Sequence, residues 1–288
     1  MKPMLALPDD LARIIQDDLP TRVVGRPITH YERIGSTNDL VKAQARSGHA
    51  EGLVVLAEEQ TAGRGRMGRG WTAPPGSSLL MSLLLRPTWL PPADAFTLTM
   101  LAGVVLCEAV EQVAPIRAAL KWPNDLLLPV AAPGTPVETP GLRKAAGVLS
   151  ELELKHDQLA WAVIGMGINV DWAPSGIVDG RDLARVATSV SIAAGRPIAR
   201  GALLRALLIR LDARYLALRE GQREALFADW RARLAMLGQR VYVQRLQGGL
   251  HGIAEDVEPS GALRVRDASG VMHVVLAGDV GVVPRTDD

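Results

Sequence analysis

Hydrophobic residues recur along the chain with two spacings, one typical of strands and the other typical of helices. Short apolar runs bounded by glycine, proline or polar turn residues predict strands. Before residue 171 these runs are 28–34, 53–57, 78–86, 144–153, 161–170 and a pair within 118–128, separated by the turn formers Pro123-Asn124-Asp125. Together they indicate one sizeable sheet.

Helical spacing covers the remaining long stretches. A short amphipathic helix is predicted from about Pro8 to Leu19, and another follows the capping residues Ser36-Thr37-Asn38 and ends near Gly48. The nearly all-apolar stretch from Asp94 to Val113 predicts a long helix in the core. Leucines at i, i+3 and i+4 predict further helices between about Asp182 and Leu237.

After Gly238 the pattern changes to short alternating runs punctuated by glycine. They lie at 240–243, 252–255, 262–265 and 273–275. Short strands with turn signals over this length suggest a small β-barrel appended to a larger domain. The sequence therefore predicts an α+β protein with two domains, 1–237 and 238–288.

Length and charge restrict the classes of function. With 288 residues the chain can bury a substantial core, and its formal net charge of +1 gives no general attraction to nucleic acid, so no DNA partner is expected. The single cysteine, Cys107, lies within the predicted core helix, which excludes a disulfide framework and favours a reducing cytoplasm. No signal peptide and no apolar run of membrane-spanning length are expected, and hence no membrane partner.

The most distinctive polar stretch, here named the arginine loop, runs from Gln60 to Trp71 directly after a strand-like run. It contains Arg64, Arg66 and Arg69 among four glycines. Glycine lets a backbone approach a ligand closely, and arginine supplies a permanently charged, fork-shaped donor for phosphate or carboxylate. The loop is therefore a candidate anion-binding site.

Two common nucleotide-binding motifs fit this loop incompletely. Gly63, Gly65 and Gly68 satisfy G-x-G-x-x-G, but the following Pro74-Pro75 excludes the helix that a dinucleotide fingerprint requires. The acidic residue expected about twenty positions further on is also missing. A P-loop would continue from Gly68 with lysine, whereas this chain continues with Arg69. Both standard nucleotide-binding folds are disfavoured.

Five blocks of the sequence, taken in order, resemble the biotin protein ligase family. None is specific alone, but together they extend over most of the chain. The blocks are Ser36-Thr37-Asn38, the arginine loop, Lys121-Trp122-Pro123-Asn124-Asp125, the run from Lys144 to Glu151, and Gly165-Met166-Gly167-Ile168-Asn169. The resemblance implies a mixed-sheet catalytic domain of the biotin/lipoate ligase type with flanking helices, followed by a small SH3-like β-barrel.

The resemblance also implies a two-step reaction. Biotin and ATP, with Mg²⁺, would form biotinyl-5′-AMP, and the activated carboxyl would pass to a lysine of a biotin carboxyl carrier protein belonging to a carboxylase. The chain would act as a monomer or homodimer. Because only 35 residues precede Ser36, we expect the monofunctional kind, without the N-terminal DNA-binding domain that some relatives carry.

Site residues follow from the same resemblance, position by position. The biotin pocket would be formed by Ser36, Thr37, Asn38, Gln60, Gly63, Arg64, Arg66, Lys144 and Gly147. ATP would be bound by Arg64, Arg66, Arg69, Trp71, Lys121, Asn124, Asp125 and Asn169. Of these, Arg66, Lys144 and Asp125 would be catalytic, and Asp125 would hold the metal ion. Met67 and Gly70 depart from the family, since relatives often have a basic residue there.

Two alternative functions remain open at this stage. Lipoate ligation shares the fold and the adenylate chemistry, although the Gly-Arg-Gly-Arg sequence argues against it. A nucleic-acid-binding arm is the other alternative, and the near-neutral net charge disfavours it. No role is assigned to the loop between Pro129 and Gly141.

Overall fold

The computed structural model describes residues 11, 14, 19–130, 141–178, 180–245 and 248–283, with residue 181 described by its backbone alone. Within the helix predicted at 8–19, Leu11 and Ile14 are helical and buried, and the other positions before Leu19 lie outside the described residues. The loop predicted at 129–141 also lies outside them, except at its ends: Pro129 and Val130 close one strand and Gly141 opens the next.

A seven-stranded mixed sheet forms the larger layer. Its strands follow the spatial order β1-β2-β3-β7-β6-β5-β4, in which β1 and β2 are parallel and every other neighbouring pair is antiparallel. The strands are β1 (Ile28–Ile34), β2 (Val54–Gln60), β3 (Ser78–Leu85), β4 (Ala119–Lys121), β5 (Asp125–Val130), β6 (Gly141–Lys155) and β7 (Gln158–Asn169). This sheet confirms the strands predicted before residue 171.

Six described α-helices pack around the sheet. They are α1 (Thr37–Arg46), α2 (Thr97–Val113), α3 (Leu183–Val186), α4 (Val190–Ala194), α5 (Arg200–Arg219) and α6 (Arg223–Ala232). Ser36 caps α1, its hydroxyl accepting from the Asp39 N–H, as its residue type predicts. Short 3-10 turns occupy Arg66–Gly68 and Pro92–Asp94.

Helix α2 is the central helix of the core. By length and composition the stretch Pro92–Val113 would suffice to cross a membrane, so the expectation that no run is long enough was wrong on that count. However, 72% of its most apolar part is buried, against α5, α6 and the sheet. Cys107 lies on this helix with no exposed surface, and burial raises the pKa of its thiol to about 12, which makes it unreactive.

The C-terminal segment forms a second, antiparallel sheet with the order β13-β12-β11-β10-β14. Its strands are β10 (Arg240–Arg245), β11 (Gly248–Val257), β12 (Leu263–Arg266), β13 (Met272–Val275) and β14 (Asp279–Val282). A separate two-stranded hairpin lies earlier in the chain, before α3, and consists of β8 (Ile177–Val178) and β9 (Arg181–Asp182). The predicted small β unit is thus present. Its described edge strands do not pair with each other, so the sheet is open. Strand β14 and the β8–β9 hairpin were not predicted.

The two sheets share buried contacts. The indole N–H of Trp122, a side chain with no exposed surface, donates to the carbonyl of Gly261 at 2.8 Å. Gly261 has a φ of +90°, and a Cβ at that position would lie 2.0 Å from Phe96, so only glycine fits. The predicted boundary at 237/238 lies just before β10, and the core continues across it.

Asp212 on α5 joins the N-terminal segment to the core. Its buried carboxylate accepts from the backbone N–H groups of Arg22, Val23 and Val24 at 2.9, 2.7 and 2.8 Å. An ionised acceptor makes stronger hydrogen bonds than a neutral one, and removing it leaves donors without partners.

We predict that Asp212→Ala lowers the free energy of unfolding by about 3 kcal/mol, because three backbone donors lose their acceptor. Urea unfolding at neutral pH measures this change. Asp157→Asn provides the control, since Asp157 is an exposed turn residue at φ 57°, a conformation that asparagine tolerates, and its change should stay within about 0.5 kcal/mol. A loss below about 1 kcal/mol in Asp212→Ala would contradict the assigned role.

Candidate functional site

A cavity of about 470 Å³ lies where the arginine loop, the seven-stranded sheet and the C-terminal sheet meet. Fourteen of the residues singled out from the sequence line it: Ser36, Thr37, Asn38, Gln60, Arg64, Arg66, Arg69, Trp71, Lys121, Asn124, Asp125, Lys144, Gly147 and Asn169. Gly63 is not among the lining residues. Its carbonyl accepts from the Trp71 N–H at 2.9 Å, and a Cβ there would lie 2.3 Å from the Trp71 carbonyl oxygen.

The arginine loop is a narrow hairpin between β2 and β3. The Gly65 N–H donates to the Arg69 carbonyl at 2.7 Å, which brings the two arms together. At the tip, Met67 and Gly68 both have left-handed backbones, with φ of 55° and 72°. Glycine adopts this conformation freely, whereas methionine does so at a cost. The turn at the tip comprises Arg66–Gly68, and the Arg66 side chain lines the cavity.

The C-terminal sheet contacts two of the loop's arginines. Arg66 donates from Nη1 to the Gly278 carbonyl at 3.2 Å, and the same nitrogen lies 3.7 Å from Oδ1 of Asp279. Arg69 forms an ion pair with Asp279. Burial lowers the pKa of Arg66, but an arginine remains charged in any case. These cations are held at the junction of the two sheets.

Lys144 and Asp125 face each other across neighbouring strands. The Lys144 Nζ lies 2.6 Å from Asp125 Oδ1, and Lys121 Nζ lies 3.5 Å from Oδ2. Asp125 is only 9% exposed, so its charge is poorly screened by water. Both lysines stay beside a carboxylate while their ammonium groups line the cavity.

The Trp71 ring lies over β6 and β7 at a position where each strand has a glycine. Gly147 on β6 and Gly167 on β7 are direct partners in the sheet. A Cβ on Gly167 would lie 2.4 Å from the indole ring, and one on Gly147 would lie 3.3 Å from both Trp71 and Lys144 Nζ. The ring also lies 5.5 Å from the Lys144 ammonium, within reach of a cation–π contact. The paired glycines therefore make the space that Trp71 and Lys144 occupy.

The inner end of the cavity has a connected set of short polar side chains. Gln60 Oε1 accepts from the Thr37 N–H at 2.8 Å, and the Ser82 and Thr37 hydroxyl oxygens lie 2.7 Å apart. Asn38 receives a hydrogen bond from Ser82 and donates to the Leu149 carbonyl. Gly165 admits this amide, because a Cβ there would lie 2.2 Å from Asn38 Oδ1. Thr37 and Gln60 keep further hydrogen-bonding capacity for a ligand, whereas both ends of the Asn38 amide are engaged within the protein.

Two asparagines hold the backbone around the cavity. Asn124 donates to the Val148 carbonyl at 2.6 Å and receives a long, 3.5 Å hydrogen bond from Arg66. Asn169 donates to the Thr188 carbonyl at 3.0 Å. Each amide thus joins a strand end to a neighbouring segment.

Sequence reasoning missed several residues that line the cavity. They are Gly165 and Gly167 on β7, Val178 and Leu183 around the β8–β9 hairpin, and Tyr242, Gln244 and Asp279 on the C-terminal sheet. Both glycines belong to a block that carries the family resemblance, but of that block only Asn169 is predicted as a site residue. The C-terminal residues carry no local signal, because the contact between Arg66 and Gly278 spans 212 positions.

Chemically, the arrangement suits a ligand with an uncharged end and an anionic end. Short polar groups and apolar walls form the inner end, as in many small-molecule pockets. Arginine and lysine side chains surround the middle, where they would neutralise negative charge before two anions react with each other. The described residues bring no three His, Cys, Asp or Glu side chains together as a metal cluster.

Comparison with known families gives two matches. Residues 30–169 match the model of the biotin/lipoate A/B protein ligase family, which covers the seven-stranded sheet and the arginine loop. Residues 236–282 match the model of the biotin protein ligase C-terminal domain, which covers the second sheet. The cavity lies between the segments that these models match.

Individual proteins give the same result. The biotin–[acetyl-CoA-carboxylase] ligase of Mycobacterium tuberculosis is 36% identical over 261 residues, with 88% of each chain covered. The bifunctional ligase/repressor BirA of Bacillus subtilis is 30% identical, over 91% of this chain and 76% of that one. In fold, the chain is similar to a biotin protein ligase from Aquifex aeolicus in complex with biotin and ATP, with a TM-score of 0.70 and 24% identity, over 90% of this chain and 100% of that one. From its arginine loop to its C-terminal sheet, this chain belongs to the biotin protein ligase family.

Proposed function

We propose that this chain is an ATP-dependent biotin protein ligase, which activates biotin as biotinyl-5′-AMP and transfers it to a lysine of a biotin carboxyl carrier protein. The observation that carries the proposal is the cavity. Its lining includes the cationic side chains of Arg66, Arg69 and Lys144 together with residues of the C-terminal sheet. Family membership supports the same activity. The Mycobacterium tuberculosis relative is named for ligating biotin to acetyl-CoA carboxylase.

The first step joins two anions. A carboxylate oxygen of biotin attacks the α-phosphorus of ATP, the bond to the β,γ-phosphates breaks, and pyrophosphate leaves. Charge repulsion opposes this approach, so donors aimed at both groups lower the barrier. Arg66 and Lys144 would do this, since both line the cavity and the arginine is permanently charged. No protein nucleophile is needed.

Biotin would occupy the inner end of the cavity. Its neutral bicyclic urea needs short donors and acceptors in an apolar cleft, and Ser36, Thr37 and Gln60 supply them. The Thr37 hydroxyl already takes part in the hydrogen bonds with Gln60 and Ser82, which orients it. Asn38 supports this pocket through its neighbours, and Gly63 supports it by closing the loop.

The nucleotide would occupy the outer end, with Trp71, Asn124 and Asn169 as its neighbours and Arg69 and Lys121 beside its phosphates. Mg²⁺ is part of this proposal, and Asp125 is the residue that would hold it. Asp125 Oδ1 forms the shorter ion pair, 2.6 Å from Lys144, whereas Oδ2 lies 3.5 Å from Lys121 and would be the oxygen offered to the ion. Mg²⁺ commonly takes one or two carboxylates together with phosphates and water, so this donor set fits. The ion would neutralise phosphate charge.

In the second step the neutral amine of the carrier lysine attacks the activated carbonyl carbon. AMP leaves, and the ammonium formed loses a proton to give the amide. Asp125 is the carboxylate at the cavity floor that would accept this proton if Lys144 moves away from it. A biotin carboxyl carrier protein would therefore be the protein partner.

The proposal also covers the domain boundaries, the cellular location and the oligomeric state. Residues 1–237 would form the catalytic domain and 238–288 the C-terminal domain, whose strands β10 and β14 close one side of the cavity. We expect a cytoplasmic enzyme, in agreement with a single buried cysteine. A monomer or homodimer would satisfy the site, since all the residues invoked belong to one chain.

Pyrophosphate exchange into ATP tests the proposal directly. We predict exchange that requires biotin and is not supported by lipoate, because only a reversible adenylation of the bound acid returns labelled pyrophosphate to ATP. Exchange driven by lipoate alone would show that the protein is a lipoate ligase. Salt-sensitive DNA binding without any exchange would instead favour the nucleic-acid alternative.

Arg66→Ala should release biotinyl-AMP about ten- to a hundredfold faster, since one charge-assisted hydrogen bond is lost. The rate of adenylate dissociation, measured by dilution into unlabelled biotin and ATP, gives this value. Arg33→Ala, which removes an arginine that is 67% exposed on β1, should keep the parent rate. An unchanged rate in Arg66→Ala would show that this arginine does not hold the adenylate.

Lys144→Ala should slow adenylation about a hundredfold, because the ammonium group acts on developing charge. Single-turnover formation of biotinyl-AMP measures the chemical step. Lys155→Ala, at the exposed end of the same strand, is the matched control. Full-rate adenylation by Lys144→Ala would remove this lysine from the mechanism.

A further inference from the structure

Of the loop's three arginines, Arg64 is the one bound to a carboxylate of the neighbouring helix. Its Nη1 donates to Asp39 Oδ2 at 2.6 Å and its Nη2 to Oδ1 at 2.5 Å, a bidentate pair in which both forks are used. Asp39 lies in the first turn of α1. The pair therefore joins the first arm of the loop to a helix whose position is set by the core.

The same carboxylate belongs to a longer polar connection. Lys42, one turn further along α1, lies 2.9 Å from Asp39 Oδ1 and 2.6 Å from Glu151 Oε1. Glu151 Oε2 accepts from Asn38 at 2.8 Å, and Asn38 in turn contacts the hydroxyl of Ser82. Arg64 is thus linked, through ionic and hydrogen-bonded neighbours, to the polar end of the cavity.

Bidentate pairing limits what else Arg64 can do. Two of the five guanidinium N–H donors, one on each terminal nitrogen, already point at Asp39, and a ligand anion that needed this bidentate edge would have to replace a carboxylate at full hydrogen-bonding distance. The Arg64 guanidinium holds the pKa of Asp39 well below its usual range, so the pair stays ionised at any working pH. Arg66, two residues further on, lies 3.7 Å from the nearer oxygen of Asp279 and is in no bidentate pair among the described residues.

We propose that Asp39 is a positioning residue of the active site, and that Arg64 acts as the anchor through which Asp39 holds the arginine loop so that Arg66 faces the ligand. This reassigns Arg64 from ligand binding to loop placement. For its catalytic consequence the inference rests on the proposed function, whereas the anchoring itself does not.

The exposed fractions of the two side chains indicate how much breaking the Arg64–Asp39 pair would change stability. Arg64 and Asp39 side chains are 38% and 48% exposed, so the pair contributes little to global stability. Its effect falls on the loop, where it adds a side-chain tie to α1 to the backbone hydrogen bonds that join the loop's two arms. A variant that breaks the pair should therefore fold normally and show a looser loop.

The first experiment needs no ligand. Limited trypsin digestion of the full-length protein, followed by mass spectrometry, reports cleavage after Arg66 and Arg69. Asp39→Asn should increase the cleavage rate about two- to fivefold, the size expected for one exposed bidentate pair. Asp39→Glu, which keeps the charge, should restore most of the protection. Glu255→Gln is the matched control, since it breaks the exposed bidentate pair with Arg266 on the C-terminal sheet.

The second experiment measures biotinyl-AMP dissociation in a double-mutant cycle. Asp39→Asn, Arg64→Gln and the double variant should all release the adenylate faster by about two- to fivefold, because each breaks the Arg64–Asp39 pair, while the Lys42–Asp39 contact lies on the helix and does not touch the loop. An arginine that bound the ligand directly would give a different pattern. Arg64→Gln would then have much the larger effect, and the two changes would add.

Each outcome decides between the alternatives. Unchanged trypsin cleavage in Asp39→Asn, or additive effects in the cycle, would overturn the anchoring role. If the parent protein forms no biotinyl-AMP, the proposed function fails, while the trypsin experiment still tests the anchor. An unfolding midpoint equal to that of the parent confirms that the variants differ in the loop and not in the fold.

Discussion

Repulsion between like charges is the constraint on which this site depends. Among the described residues, five cationic side chains line one cavity: Arg64, Arg66, Arg69, Lys121 and Lys144. Three carboxylates offset them, since Asp39 pairs with Arg64, Asp279 with Arg69, and Asp125 with both lysines. The site keeps an excess of positive charge for anionic substrates, and Arg66 is the least neutralised member.

These carboxylates come from three different parts of the fold. Asp39 lies on α1, Asp125 begins β5, and Asp279 begins β14. The spacing between cations is therefore set by how the two sheets and one helix pack together, and not by the loop alone. Packing between the two sheets therefore affects how the charges in the cavity are spaced. The Trp122 hydrogen bond to Gly261 is one of the contacts that hold the C-terminal sheet against the larger domain.

Glycine creates the space in which the charges act. Gly147 and Gly167 form a bare patch on two neighbouring strands, and Trp71 lies on it with Lys144 beside the ring. Gly165 does the same for Asn38 at the inner end. In a β-sheet, residues two apart face the same side, so Gly165 and Gly167 open one continuous surface. A side chain at Gly165 would displace Asn38, and one at Gly167 would displace Trp71.

The sequence by itself determined most of the secondary structure and the family. Apolar runs located β1 to β7 and α2, residue types located the Ser36 cap, and five blocks indicated the ligase resemblance, because each of these signals is local in the chain. Tertiary structure alone decided which acid faces which arginine. Asp39 is 25 positions from Arg64 and Gly278 is 212 from Arg66, and the apolar pattern of β14 is interrupted by Gly281. Pairing over such separations depends on packing, which no local pattern records.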